Sequence, residues 1–286
     1  MLLVFMLLGQ IIDFQQLYDE ATTSLVQFQT VREAAIDSLV VLGKNTFYTD
    51  TVVAFLVSKF DTKGALERHI MKDILKEIGE QAVPGIVDRI DKRGSDGEDR
   101  QLAQSLWVLG EIGSDKAVEA VSCFTQDGRW QIRSSAYTAL GKMESRIAVP
   151  YIVKGLSDSI GITRKSAFYA LSTIACIEDI PHFIKGLADE FYGVRYAAVK
   201  GLEHIGAPAL EPLLNALGQN TMLDMFVVRS LLKIGAHDTV CACLDHYPPE
   251  IRYIIYEEIP DSVLLQVIKD EPDPMFKAAA ELLIGK

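Results

Sequence analysis

Ile132-Arg133-Ser134-Ser135-Ala136-Tyr137-Thr138-Ala139-Leu140-Gly141 decides the fold of this chain, because the pattern returns twice without a gap. It returns as Thr163-Arg164-Lys165-Ser166-Ala167-Phe168-Tyr169-Ala170-Leu171-Ser172 and, after an equal interval, as Val194-Arg195-Tyr196-Ala197-Ala198-Val199-Lys200-Gly201-Leu202-Glu203. Self-similarity at a fixed interval marks a repeat architecture. Val31-Arg32 to Leu39 carries the same pattern upstream, and Glu67-Arg68 to Leu75 a looser version. Leu39, Leu75, Leu109, Leu140, Leu171, Leu202, Leu231, Ile259 and Leu283 hold one equivalent position, giving about nine units. The spacing is widest between Leu39 and Leu75 and narrowest between Ile259 and Leu283. Terminal repeats that cap a stack are commonly atypical in this way.

Each unit reads as two helices. Ala136, Ala139 and Leu140 lie three and four apart, on one face of the first helix, where small residues let a neighbouring helix approach. Ile78-Gly79, Ile112-Gly113, Ile205-Gly206 and Ile234-Gly235 supply left-handed glycine caps. The second helix opens on Ala82-Val83-Pro84, Ala148-Val149-Pro150 or the variant Ile180-Pro181. Proline is tolerated there because a first-turn N–H has no partner within the helix. Neither helix can bury its apolar stripe alone, so the units must stack. The expectation is an all-α chain, an α-solenoid of about nine helix-turn-helix repeats. It forms one domain over 1–286, with capping helices in 1–30 and repeats in 31–286.

Composition narrows the function. Hydrophobic residues are 49% of the 286, as in a globular chain. Lys and Arg number 28 against 39 Asp and Glu, a net charge of -11, with no segregated basic face. Such a chain repels phosphate backbones, which argues against nucleic acid as a partner. The cysteines Cys123, Cys176, Cys241 and Cys243 read as buried thiols in a reducing, cytoplasmic compartment. Met1 to Ile12 is almost wholly apolar, yet no Lys or Arg precedes Arg32, which is unlike a signal peptide. It is also well short of the ~20 residues that span a bilayer. It reads as a terminal helix packed on the first repeat; a trimmed signal sequence and a surface that associates elsewhere are the alternatives.

One polar pair recurs with the period. Asp127, Asp158 and Asp189 precede Arg133, Arg164 and Arg195 by six residues each. Each Asp, ending one unit, is expected to meet the Arg of the next, the guanidinium forking onto a carboxylate near a helix N-terminus. A catalytic group has no reason to recur once in every repeat, so this reads as a structural ladder.

With these motifs in hand, the chain resembles a known family. The pattern x-Arg-x-x-Ala-x-x-Ala-Leu-Gly-x-Ile-Gly followed by Ala-Val-Pro is similar to the HEAT-like repeat first named for phycobilisome lyases. Trp130 and Tyr192, three residues before Arg133 and Arg195, fit the aromatic that often stands there. The resemblance covers roughly residues 31 to 286 and is strongest from 99 to 218. It implies a right-handed solenoid. It leaves function open, because such repeats occur in bilin lyase subunits, in deoxyhypusine hydroxylase and in scaffolds.

Enzymatic signatures are missing. The hydroxylase of that family binds two irons through His-Glu dipeptides, and none of His69, His182, His204, His237 and His246 is followed by Glu. His237, Cys241, Cys243 and His246 cluster in sequence, but Cys241 and Cys243 are two apart and would face opposite sides of a helix. They read as one or two buried cysteines with flanking histidines. No Gly-x-Ser-x-Gly elbow or Gly-rich phosphate loop appears. Lys92 to Arg100 reads as a polar, flexible insertion loop. No residue marks a tetrapyrrole site, and Cys123 and Cys176 look like core. No metal or cofactor is expected.

The remaining surface suggests binding. Second helices usually line the concave face of a solenoid. Asp88, Cys123, Lys154, Lys185 and Asn215 share its outward position, and Lys154 and Lys185, with Arg164 and Arg195 nearby, make a small basic patch suited to an acidic peptide or protein. Asp224 replaces the repeat's Arg and breaks the ladder. Tyr247, Tyr253 and Tyr256 cluster around Pro248 to Arg252; Tyr253 and Tyr256 are candidate partner contacts. The reading is a non-catalytic protein-binding scaffold, with a bilin lyase subunit or related modification enzyme as the alternative.

Overall fold

A computed structural model describes residues 12–91 and 99–284. No strand occurs among the described residues. The chain divides into two compact units, Met1–Tyr151 and Ile152–Lys286. In each, a long first helix alternates with a shorter second one. This is the all-α repeat fold that the period requires.

The first unit contains α1 (Phe14–Ala21), α2 (Gln29–Lys44), α3 (Thr49–Ser58), α4 (Ala65–Ile78), α5 (Val83–Asp91), α6 (Asp99–Ile112), α7 (Val118–Cys123) and α8 (Trp130–Lys142). First helices stack in order, α2 on α4, α4 on α6 and α6 on α8, while α3 packs on α5 and α1 covers α2. The division falls within α9 (Val149–Gly155). The second unit continues with α10 (Gly161–Thr173), α11 (Ile180–Gly186), α12 (Tyr192–Ile205), α13 (Leu210–Ala216), α14 (Thr221–Lys233), α15 (His237–Ala242), α16 (Pro249–Glu258), α17 (Asp261–Val267) and α18 (Pro274–Glu281). There α10 packs on α12, α12 on α14, α14 on α16 and α16 on α18.

The period explains the core. Leu39, Leu75, Leu109, Leu140, Leu171, Leu202 and Leu231 are fully buried and Ile259 nearly so. Leu283, the last of the register, lies beyond α18 and is only half-buried. The small residues set the spacing between first helices: a Cβ on Gly110 of α6 would lie 2.8 Å from the Cα of Ala139 on α8. Wider side chains at either position would push the two helices apart.

The turn within each pair is equally regular. Gly79, Gly113, Gly206 and Gly235 all have positive φ, between 72° and 86°. Glu144 stands at the same place in its unit with φ 52°. A short 3-10 turn follows, as in Asp115–Ala117, Arg146–Ala148 and Ile177–Asp179, and the second helix starts from it. Ser114 and Ser145 cap these turns by accepting from the N–H of Lys116 and Ile147. Cys176 occupies the same place one repeat after Ser145.

One expectation needs correction. The thiols are not buried: Cys123 and Cys243 are exposed, and Cys176 and Cys241 are half-exposed. Cys123 falls on the outward side of α7, and Cys176 precedes a 3-10 turn, its N–H and its Sγ both donating to Asp179 Oδ2, so neither belongs to the core. Met1 to Ile11 and residues 92–98 lie outside the described residues, and with them the apolar N-terminal segment and most of the polar loop. No helix among the described residues is long and apolar enough to cross a membrane.

Candidate functional site

The recurrent Asp and Arg do meet, through different atoms than expected. Arg133, Arg164 and Arg195 each donate through Nη1 to the main-chain carbonyl of Asp127, Asp158 and Asp189, at 2.9, 2.8 and 2.6 Å. The Asp carboxylates turn the other way. Each accepts the N–H two residues on, from Arg129, Ile160 and Phe191, at 2.8 to 2.9 Å, and so fixes the loop before a first helix. The forked contact runs forward. Arg164 Nε and Nη2 grip the carboxylate of Asp189, one repeat later, at 2.8 and 2.9 Å. Asp127 is gripped by Arg129, whose hydrogen bonds hold its carboxyl below the usual range despite partial burial.

The ladder changes chemistry where Asp224 replaces Arg. Asp224 accepts from the N–H of Gly218, six residues back, at 2.9 Å, where an Arg would donate to the carbonyl. Gly218 also stands where the next carboxylate would be. Arg195 therefore lies over the Phe226 ring, 4.9 Å from its centroid, with Nε buried and making no hydrogen bond. The ladder resumes at Arg252, which sequence reading left unassigned. Arg252 donates to the Tyr247 carbonyl at 2.9 Å and forks onto Glu271 at 2.8 Å through both Nε and Nη2. Glu271 accepts from Asp273 N–H, two residues on, as Asp189 does from Phe191. The available signal was Arg252 standing seven residues before Ile259, the interval of Arg133 to Leu140.

The candidate binding residues separate. Asp88, Cys123, Lys154, Lys185 and Asn215 are all exposed, as their shared position requires. Tyr256 is 1% exposed and donates its hydroxyl to Glu271, so it is a core residue and not a partner contact. Burial, then Glu271, pushes its hydroxyl pKa well up. Tyr253 is half-buried, its ring 6.2 Å from that of Phe276. No group of His, Cys, Asp and Glu suited to a metal occurs among the described residues.

Lys185 does sit at a concavity. The 3-10 turn Ile177–Asp179 and α11 face the turn Ala207–Ala209 and α13 across a groove of about 540 Å³. Its walls are Ile177, Pro181, Ile184, Pro208 and Pro212, with Lys185 the cation among them. Ile177 is 60% exposed because its turn carries it clear of the helix stack. Pro181 and Pro212 lie in the first turns of α11 and α13 and Pro208 in the 3-10 turn before α13, and all three add fixed apolar surface. Such a lining suits an extended apolar segment, with Lys185 able to meet a carboxylate.

Residues 73–172 match the family model for HEAT repeats, and residues 194–219 match the PBS lyase HEAT-like repeat. No curated protein matches the chain. Among solved structures, the chain is similar to Escherichia coli YibA at 16% identity, covering 97% of this chain and 98% of that one with a TM-score of 0.51. Human deoxyhypusine hydroxylase is similar at 17% identity, 83% and 96% coverage and a TM-score of 0.38. The complex of CpcE and CpcF of phycocyanin lyase from Nostoc sp. PCC7120 gives 15%, 81%, 93% and 0.42 for the same quantities. The first of these likenesses speaks to fold alone. The chain thus contains HEAT repeats over residues 73–172 and a PBS lyase HEAT-like repeat at 194–219.

Proposed function

We propose that this chain is a non-catalytic scaffold that holds a protein partner on its second helices. The apolar groove beside Lys185 carries the reading, because it leaves Ile177, Pro181 and Pro208 exposed and Pro212 half-exposed. Exposed apolar surface rimmed by charge is a mark of interaction sites. Lys154 and Tyr253 are further contact candidates. The separate cysteines, none in a disulfide, suit a reducing compartment, and we place the scaffold in the cytoplasm.

Native mass spectrometry of protein purified gently from its source tests this, with wild type compared to Ile177→Asp and Lys185→Glu. Both positions are exposed, so the variants should melt as wild type does. A second polypeptide at fixed stoichiometry, lost in the variants, is the expected result. Retention in both variants would remove the groove from the reading. A small bound mass without a second chain would favour a pigment- or cofactor-carrying subunit instead.

A further inference from the structure

The first helices of the second unit hold a different pocket, independent of the groove. Tyr196, Val199, Lys200 and Glu203 of α12 and Arg229 and Lys233 of α14 line about 230 Å³ together with Glu258 of α16. Three cations and two carboxylates leave a local surplus of one positive charge in a chain whose net charge is -11. The two lysines are committed: Lys200 pairs with Glu203 at 2.7 Å and Lys233 with Glu258 at 2.6 Å. Arg229 is not committed in the same way. Glu258 approaches its Nε only to 3.9 Å, and that Nε is buried without a hydrogen bond.

We propose that this pocket takes one carboxylate, the side chain of an aspartate or glutamate on a protein partner. A planar guanidinium fork matches a carboxylate, and Lys233, one helical turn further along α14, adds positive potential there while keeping its pair with Glu258. Tyr196 and Val199 offer apolar surface to the methylenes that carry the carboxylate. The charge count decides between anions. One negative charge neutralises the pocket, whereas a dianionic phosphoryl group would leave an excess of negative charge beside Glu203 and Glu258.

The test is titration of the full chain, followed by the backbone amide resonances of Tyr196, Val199 and Lys200. The probe is glutamate blocked at both ends as N-acetyl N-methylamide. Blocked glutamine, sodium acetate and inorganic phosphate are titrated at matched ionic strength. Blocked glutamate should shift these resonances saturably, at least tenfold more tightly than blocked glutamine and more tightly than acetate. Arg229→Gln should weaken it at least tenfold. Lys233→Gln serves the same purpose if Arg229→Gln unfolds, and Lys269→Gln should change nothing. Absence of a saturable shift would overturn the site. Acetate binding as tightly as blocked glutamate would overturn the partner side chain in favour of a free small acid. Phosphate saturating at lower concentration than blocked glutamate would overturn the choice of a carboxylate.

Discussion

Arg164 reaches forward along the chain, its guanidinium forked onto the carboxylate of Asp189, 25 residues later, while its hydrogen bond to Asp158 goes to that residue's main-chain carbonyl. Arg164 is 8% exposed, so this contact joins neighbouring repeats away from most solvent. A double-mutant cycle separates the two kinds of contact. Arg164→Ala and Asp189→Ala should couple by about 1 to 3 kcal/mol. Arg195→Ala and Asp189→Ala should couple by less than about 0.5 kcal/mol, because Arg195 binds a carbonyl that alanine keeps. Equal coupling in the two cycles would return the ladder to the backward pairing that the spacing suggested.

The fold was legible because its signals are local and repeated. The leucine register marks the core, and each Ile-Gly step marks a turn whose backbone needs positive φ. Direction in the ladder was not legible. A six-residue interval fixes which Asp and Arg lie near each other, but not whether a carbonyl or a carboxylate is used. Glu271 was hidden by a shorter connection, 19 residues from its Arg against 25 for Asp189. Tyrosines suit cores and interfaces alike, and it is the buried Glu271 beneath the Tyr256 hydroxyl that assigns Tyr256 to the core. The apolar groove needed two repeats side by side, which no single-repeat pattern reveals.

Glu144 breaks the glycine rule at the turn, with φ 52° where four other units place Gly. A side chain in the left-handed region costs about 1 to 2 kcal/mol, part of which glycine gives back through the entropy of its unfolded chain. Glu144 is exposed, so no packing opposes the change. Glu144→Gly should therefore raise stability by about 0.5 to 1 kcal/mol, read by denaturant midpoint. A fall in stability would mean that the glutamate side chain holds the turn.

The thiols should differ in reactivity. Hydrogen bonding to Glu178, then burial and Asp179, raises the pKa of Cys176, and burial, then Asp238, raises that of Cys241. The thiolate is the nucleophile, so a smaller thiolate fraction in mildly alkaline buffer means proportionately slower alkylation. Iodoacetamide followed by peptide mass spectrometry should label the exposed Cys123 and Cys243 first. Glu178→Gln should speed Cys176 specifically. Unchanged labelling in that variant would remove the carboxylate as the cause.

Arg252, Glu271 and Tyr256 form the last rung, and Glu271 has a fully buried side chain. Burial alone would raise its carboxyl pKa, but hydrogen bonds from Arg252, Tyr256 and the Asp273 N–H outweigh that and hold it below its ordinary value of 4.5. A carboxyl depressed by folding contributes stability above its unfolded pKa and loses it as pH falls through the lower folded value. The second unit should therefore lose stability progressively below about pH 4.5, and Glu271→Gln should flatten that dependence. Glu271→Ala leaves the Arg252 guanidinium, 10% exposed, without its counter-charge and should cost about 3 to 5 kcal/mol at neutral pH. Urea unfolding from pH 3 to 7 reads both effects. An acid slope in Glu271→Gln equal to that of wild type would place the titrating groups elsewhere in the unit.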